Sequence, residues 1–170
     1  RSPYIFNNCT KFNQRLSENT VDFTSDGLGS YTAWNTQNVI TFRQMFYNCT
    51  AFNNGSILRD ATTGNPTLDT SGNEQPSTTP TEFYLNVSSA VGQGSESYQP
   101  YSNAYFPAFY RMFYNCTNFN SIIYNWNITA SENIPSSSND HFLEEMFRGA
   151  TSFVQEIRTL NIKETQKKKI

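Results

Sequence analysis

The sequence predicts a right-handed α/β repeat solenoid: four short helix–strand units with long loop insertions between them. Two observations carry that reading. A nine-residue pattern recurs four times along the chain, and internal repeats of supersecondary size mark stacked architectures. Helical apolar spacing precedes the pattern and strand-like alternation follows it. Composition agrees. Of 170 residues, 15% are charged and 15% aromatic, against about 25% charged in an average soluble chain. So many aromatics argue against disorder.

Taken in order, the first copy reads Ile5-Phe6-Asn7-Asn8-Cys9-Thr10-Lys11-Phe12-Asn13. The second is Met45-Phe46-Tyr47-Asn48-Cys49-Thr50-Ala51-Phe52-Asn53, and the third Met112-Phe113-Tyr114-Asn115-Cys116-Thr117-Asn118-Phe119-Asn120. The fourth is Met146-Phe147-Arg148-Gly149-Ala150-Thr151-Ser152-Phe153-Val154. Upstream, Phe42 with Met45 and Phe46, and Phe109 with Met112 and Phe113, share one face of a short helix. Phe142 or Leu143 does the same for Met146 and Phe147. Asn8, Asn48, Asn115 and Gly149 fill the slot expected to be a left-handed helix C-cap. Small residues follow (Cys9, Cys49, Cys116, Ala150), suited to a tight buried turn. The expected core is two ladders: Phe6, Phe46, Phe113 and Phe147, then Phe12, Phe52, Phe119 and Phe153.

Each second Phe leads into a segment read as a short strand. Ile122, Tyr124 and Trp126 interleave with Ile123, Asn125 and Asn127; Val154, Glu156, Arg158 and Leu160 interleave with Ile157 and Thr159; and residues 34–39 hold a related place before the second helix. The whole chain, 1–170, reads as one domain. The first Phe recurs at spacings of 40, 67 and 34 residues. The excess in the second interval is an insert, residues 54–108, expected to form a lateral arm with one strand-like run at 82–87. Its Tyr98, Tyr101 and Tyr105 are candidate contact residues, since Tyr joins large apolar area to a polar tip. Residues 163–170 form a basic tail.

The pattern Met-Phe-x-x-Cys/Ala-x-x-Phe-Asn followed by Trp-Asn resembles the BspA-like leucine-rich repeats, among them the lipoprotein-associated surface repeat of mycoplasmas. Copies also occur in protists and large algal DNA viruses. Residues 113–128 resemble it most, residues 34–53 nearly as well, and the outer copies in part. The resemblance implies a leucine-rich-repeat-like solenoid, an extracellular, cell-surface or virion-surface location, and a role in adhesion or host contact. A unit of that family has about 25 residues, so the longer spacings here imply loops.

Chemistry-bearing residues are few. Three cysteines in equivalent slots read as core. A disulfide needs Cα atoms within about 7 Å, and stacked helical turns lie about 10 Å apart. His141 reads as part of a cap before the last helix. Glu144 and Glu145 are helix neighbours on different faces. Residues 22–27 carry oxygen ligands near Gly27 but lack calcium-loop spacing and read as a turn. Gly27-Leu28-Gly29 and Gly92-Gln93-Gly94 are too short for a phosphate loop. Sequons fall at Asn8, Asn48, Asn54, Asn86, Asn115 and Asn127. Cap geometry accounts for Asn8, Asn48 and Asn115, which leaves Asn54 and Asn86 in the insert as glycosylation candidates.

The sequence therefore predicts a protein without catalytic residues, metal or cofactor. The net charge of −2 excludes a nucleic-acid partner on electrostatic grounds, and no run is apolar enough to span a membrane. The expected function is adhesion or receptor and ligand binding, with a protein or glycan as partner. The alternative is a structural subunit of a filament, coat or virion surface, stacking end to end on copies of itself.

Overall fold

The computed structural model describes residues 4–17, 19–23, 29–90, 108–123, 126, 128 and 143–157. They overturn the α/β helix–strand solenoid. No helix occurs among them, and the only strands are β1 (Asn19–Phe23) and β2 (Gly29–Ala33), an antiparallel pair with Val21 opposite Tyr31. The repeated segments are successions of tight turns.

The reason lies in backbone handedness. Gln44 and Asn48 have φ of 51° and 58°, Arg111 and Asn115 52° and 55°, Glu145 and Gly149 52° and 77°. A left-handed residue at every fourth position ends any right-handed helix before a second turn forms. The chain instead closes four-residue β-turns. Met45 N–H donates to Phe42 O, Tyr47 N–H to Gln44 O and Cys49 N–H to Phe46 O. Such turns bring Phe42, Met45 and Phe46 to one side, as a helix would, so the apolar spacing alone does not separate the two.

The alternate amides point out of the turns and join one copy to the next. Phe42, Gln44, Phe46 and Asn48 donate to the carbonyls of Ala108, Tyr110, Met112 and Tyr114 at 2.7–3.0 Å. Arg111, Phe113 and Asn115 donate likewise to Glu144, Met146 and Arg148, and Phe6 and Asn8 to Met45 and Tyr47. Past the left-handed slot the direction reverses. Ala51 N–H donates back to Thr10 O, Asn118 to Thr50 O and Ser152 to Thr117 O. Four copies thus form one column in chain order, with backbone groups satisfied between copies rather than within them.

The core is that column's aromatic interior. Phe6, Phe46, Phe113 and Phe147 stack with centroids 5.4, 5.5 and 5.6 Å apart. Phe12, Phe52, Phe119 and Phe153 stack at 5.8, 5.9 and 5.6 Å. Within each copy the two rings lie 3.9–4.2 Å apart. The four inner rings are fully buried, and the outer four are partly buried and packed on them.

The segments after each second Phe are not strands in the described residues. Ile122 makes an isolated parallel bridge to Glu82, and Val39 N–H closes a turn on Thr36 O. The insert divides in two. Residues 57–76 project as three short runs, each bonded to both others: Leu58 N–H to Gln75 O, Thr67 N–H to Leu58 O, Gln75 N–H to Thr67 O. Residues 81–90 return to the column and bury Phe83, Leu85, Val87 and Ala90. Phe83 stands edge-on to Phe46, Phe52, Phe113 and Phe119, and its carbonyl accepts the Trp126 indole N–H at 2.7 Å. Ser17 and Thr36, either side of β1 and β2, donate their hydroxyls to Glu82 O and Asn86 O. The lateral arm expected over 54–108 is therefore narrower, with 81–90 serving as core.

Candidate binding surface

The repeat slots build ladders of side chains as well as of backbone. At the left-handed slot, Asn48 Nδ2 donates to Asn8 Oδ1 at 2.9 Å and Asn115 Nδ2 to Asn48 Oδ1 at 3.0 Å. Gly149 ends this ladder, and a Cβ there would press on the Asn115 amide oxygen. All four residues are left-handed, but they belong to turns and cap no helix. One slot on, Cys49 and Cys116 donate S–H to Phe6 O and Phe46 O, each at 2.8 Å. Cys49 and Cys116 are buried and Cys9, in the first copy, is exposed, so the expectation that all three lie inside fails at the outermost unit. Burial pushes the Cys49 thiol up to about 12 and raises Cys116 well above its ordinary value. Copies are closer than helix packing would set them, yet all three thiols are free. Side chains that leave successive copies in the same direction do not face one another as a disulfide requires.

A second asparagine ladder went unassigned from sequence. Asn13 Oδ1 accepts the Asn53 N–H, and Asn53 Oδ1 the Asn120 N–H, both at 2.8 Å. Asn120 Oδ1 accepts the Val154 N–H. Asn53 Nδ2 binds the carbonyls of Ser77 and Thr79, which anchors the foot of the projecting arm. The available signal was an Asn after the second Phe in three of four copies.

The slot between the first Phe and the left-handed residue holds Asn7, Tyr47, Tyr114 and Arg148, none of them buried. Tyr47 and Tyr114 stack at 4.9 Å. The Arg111 guanidinium lies 4.8 Å from the Tyr110 ring centre and 5.2 Å from that of Tyr114. Arg43 lies 5.2 Å from Tyr110, and Arg148 5.8 Å from Tyr114. Glu145 accepts from Arg111 Nε at 2.5 Å and also pairs with Arg148. The Arg148 hydrogen bond, with that of Arg111, holds the Glu145 carboxyl below its ordinary range. The result is a partly exposed strip of stacked rings and guanidiniums, fixed by its own contacts. It offers flat apolar faces and N–H donors, the chemistry of recognition.

The remaining candidates fall elsewhere. Asn54 is buried: its Nδ2 binds Ser17 Oγ and Glu82 O, and its Oδ1 accepts the Leu16 N–H. In this fold its side-chain amide is buried and both its nitrogen and its oxygen are engaged. Asn86 is half-buried, with Oδ1 accepting the Ser88 N–H and O–H. Tyr98, Tyr101 and Tyr105 lie outside the described residues, as do Asn127, His141 and the basic tail at 163–170. Among the described residues no group of three or more His, Cys, Asp or Glu could hold a metal ion, and no helix is long and apolar enough to cross a membrane.

Comparison with known families supplies a match on all four copies. A family model described as a Mycoplasma protein of unknown function, DUF285, matches residues 2–63 and 107–169. The chain belongs to the DUF285 family. The DUF285 match omits residues 64–106, which include part of the projecting arm and the run 81–90 that closes the core. Neither the curated proteins nor the solved structures yielded a match to this DUF285 chain.

Proposed function

We propose that this chain is a non-enzymatic surface-binding module, acting in adhesion or receptor and ligand binding outside a cell or on a virion. The observation that carries this reading is the strip of Tyr47, Tyr110, Tyr114, Arg43, Arg111 and Arg148, since Tyr and Arg are the residues that dominate binding hot spots. Mutual stacking restricts these side chains before a partner arrives, which lowers the ordering cost of binding. Low charge and abundant hydroxyls and amides suit an exposed protein. Kinship with the BspA-like leucine-rich repeats, inferred from the Met-Phe-x-x-Cys-x-x-Phe-Asn pattern, adds to it: DUF285 is compatible with that naming.

The test is retention under flow of chain-coated beads on surfaces bearing either glycans or extracellular-matrix proteins. Tyr47→Ser with Tyr114→Ser should weaken retention about tenfold or more, since 1.4 kcal/mol is a factor of ten and such truncations commonly exceed it. Equal retention by a variant with an unchanged melting curve would remove this strip as the contact.

A further inference from the structure

The strip of Tyr and Arg is locally electropositive, although the chain carries a net charge of −2. The second, third and fourth copies each give it one guanidinium, from Arg43, Arg111 and Arg148. Rings link them in series: Arg43 to Tyr110, Tyr110 to Arg111, Arg111 to Tyr114, Tyr114 to Arg148. Against these three cations stand two carboxylates, Glu144 and Glu145, whose charges both reach Tyr110. Glu145, the partner of Arg111 and Arg148, is tucked in. Its side chain is 19% exposed, against 31% for Arg111 and 63% for Arg148. The carboxylate therefore lies beneath the cations it pairs. Tyr47, Arg111 and Arg148 pack over the faces of Tyr114, so a ligand meets the edge of that ring, the positive part of its quadrupole. At physiological salt, charges are screened beyond about 8 Å. The local excess of cations, not the net charge, decides what docks here.

On the reading of this strip as the contact surface, we propose that its ligand is a linear acidic polysaccharide with a carboxylate on every sugar. The planar guanidinium fork matches a carboxylate. The guanidiniums climb the column one copy at a time, and the copies stack 5.5 and 5.6 Å apart at Phe46, Phe113 and Phe147. That step is close to one pyranose along an extended chain. One cation per copy thus meets a polymer with one acid group per unit. A neutral glycan would leave the guanidinium charge unused. An acidic peptide fits less well than the polysaccharide. A peptide added as a strand needs an open backbone edge, and the amides of Phe42, Gln44, Phe46 and Asn48 are already spent on the next copy.

The experiment is binding of the 170-residue chain to polygalacturonate, to its fully methyl-esterified form and to poly-glutamate of matched length. Biolayer interferometry at about 0.15 M salt gives the affinities. The wild type should bind polygalacturonate, weaken as salt rises and ignore the ester. Arg148→Gln should weaken binding about tenfold, and Arg43→Gln by a similar factor. Arg148 is largely exposed, so its replacement should leave the melting curve unchanged. Arg148→Lys, which keeps the charge and loses the fork, should fall between wild type and Arg148→Gln, and it decides if the glutamine variant melts early. Equal binding to the ester, or none to polygalacturonate, would overturn the inference. So would tighter binding to poly-glutamate, which assigns the strip to acidic proteins. Full affinity in both arginine variants would also overturn it, because the site then lies elsewhere. The bead assay with Tyr47→Ser and Tyr114→Ser separates ligand from surface: if that pair lowers retention while polygalacturonate fails to bind, the strip remains the contact and only its ligand class falls.

Discussion

At the scale of single residues, the structure turns on a few positions where geometry leaves little choice. Phe113 touches Phe46, Phe119, Phe147 and Phe83 at once. Phe113→Ala should cost roughly 3–5 kcal/mol by urea titration, and Phe6→Ala, at the partly exposed end, clearly less. At Asn48, a valine meets the left-handed penalty of about 1–2 kcal/mol and removes two bonds of the amide ladder, whereas glycine loses only the bonds. Asn48→Val should therefore melt well below Asn48→Gly. The buried thiols give a pH dependence. The unfolded Cys49 thiol ionises near 9.0 and the folded one near 12, so the folded chain holds the proton between those values. The thiol's contribution to stability should be constant below pH 9 and fall from pH 9 towards 12, with Cys116 acting in the same direction. Cys49→Ala with Cys116→Ala should flatten that alkaline slope, and an unchanged slope would assign it to other groups.

At the scale of elements, the sequence told which residues belong together better than which conformation they adopt. The repeat register was legible: the eight phenylalanines occupy equivalent places because equivalent slots face the same interior. The turn conformation was hidden because Phe42, Met45 and Phe46 meet on one side in a helix and in a turn alike. Gln44, Arg111 and Glu145 carry the difference, and none is a residue type that signals left-handed backbone. Their strain is balanced by hydrogen bonds to another copy, which no local pattern reveals. The insert was misread for a related reason. Residues 81–90 look like part of one long loop, yet Phe83, Leu85 and Val87 alternate inward to complete the core. Only the projecting part, 57–76, is dispensable by this account. Replacing 57–76 with a short Gly-Ser linker should leave the melting temperature within a few degrees. Phe83→Ala should cost roughly 3–5 kcal/mol, with thermal melting as the check on both.

At the scale of the whole molecule, stability rests on neighbouring copies, because a single turn unit has neither its alternate amides satisfied nor its rings covered. Such arrays gain stability from nearest-neighbour contacts. The strip of Tyr and Arg exists only because Tyr110, Arg111 and Tyr114 of one copy lie beside Arg43 and Tyr47 of another. Binding surface and core thus depend on the same register. The most direct test of the central claim, that the copies are stacked turns bonded to one another, is amide NMR on the labelled chain. The account predicts hydrogen-bond couplings from Phe46 N–H to Met112 C=O and from Phe113 N–H to Met146 C=O, with positive φ at Gln44 and Arg111. Amide contacts running from residue i to i+4 through 42–48 and 109–115, with no coupling between copies, would contradict it.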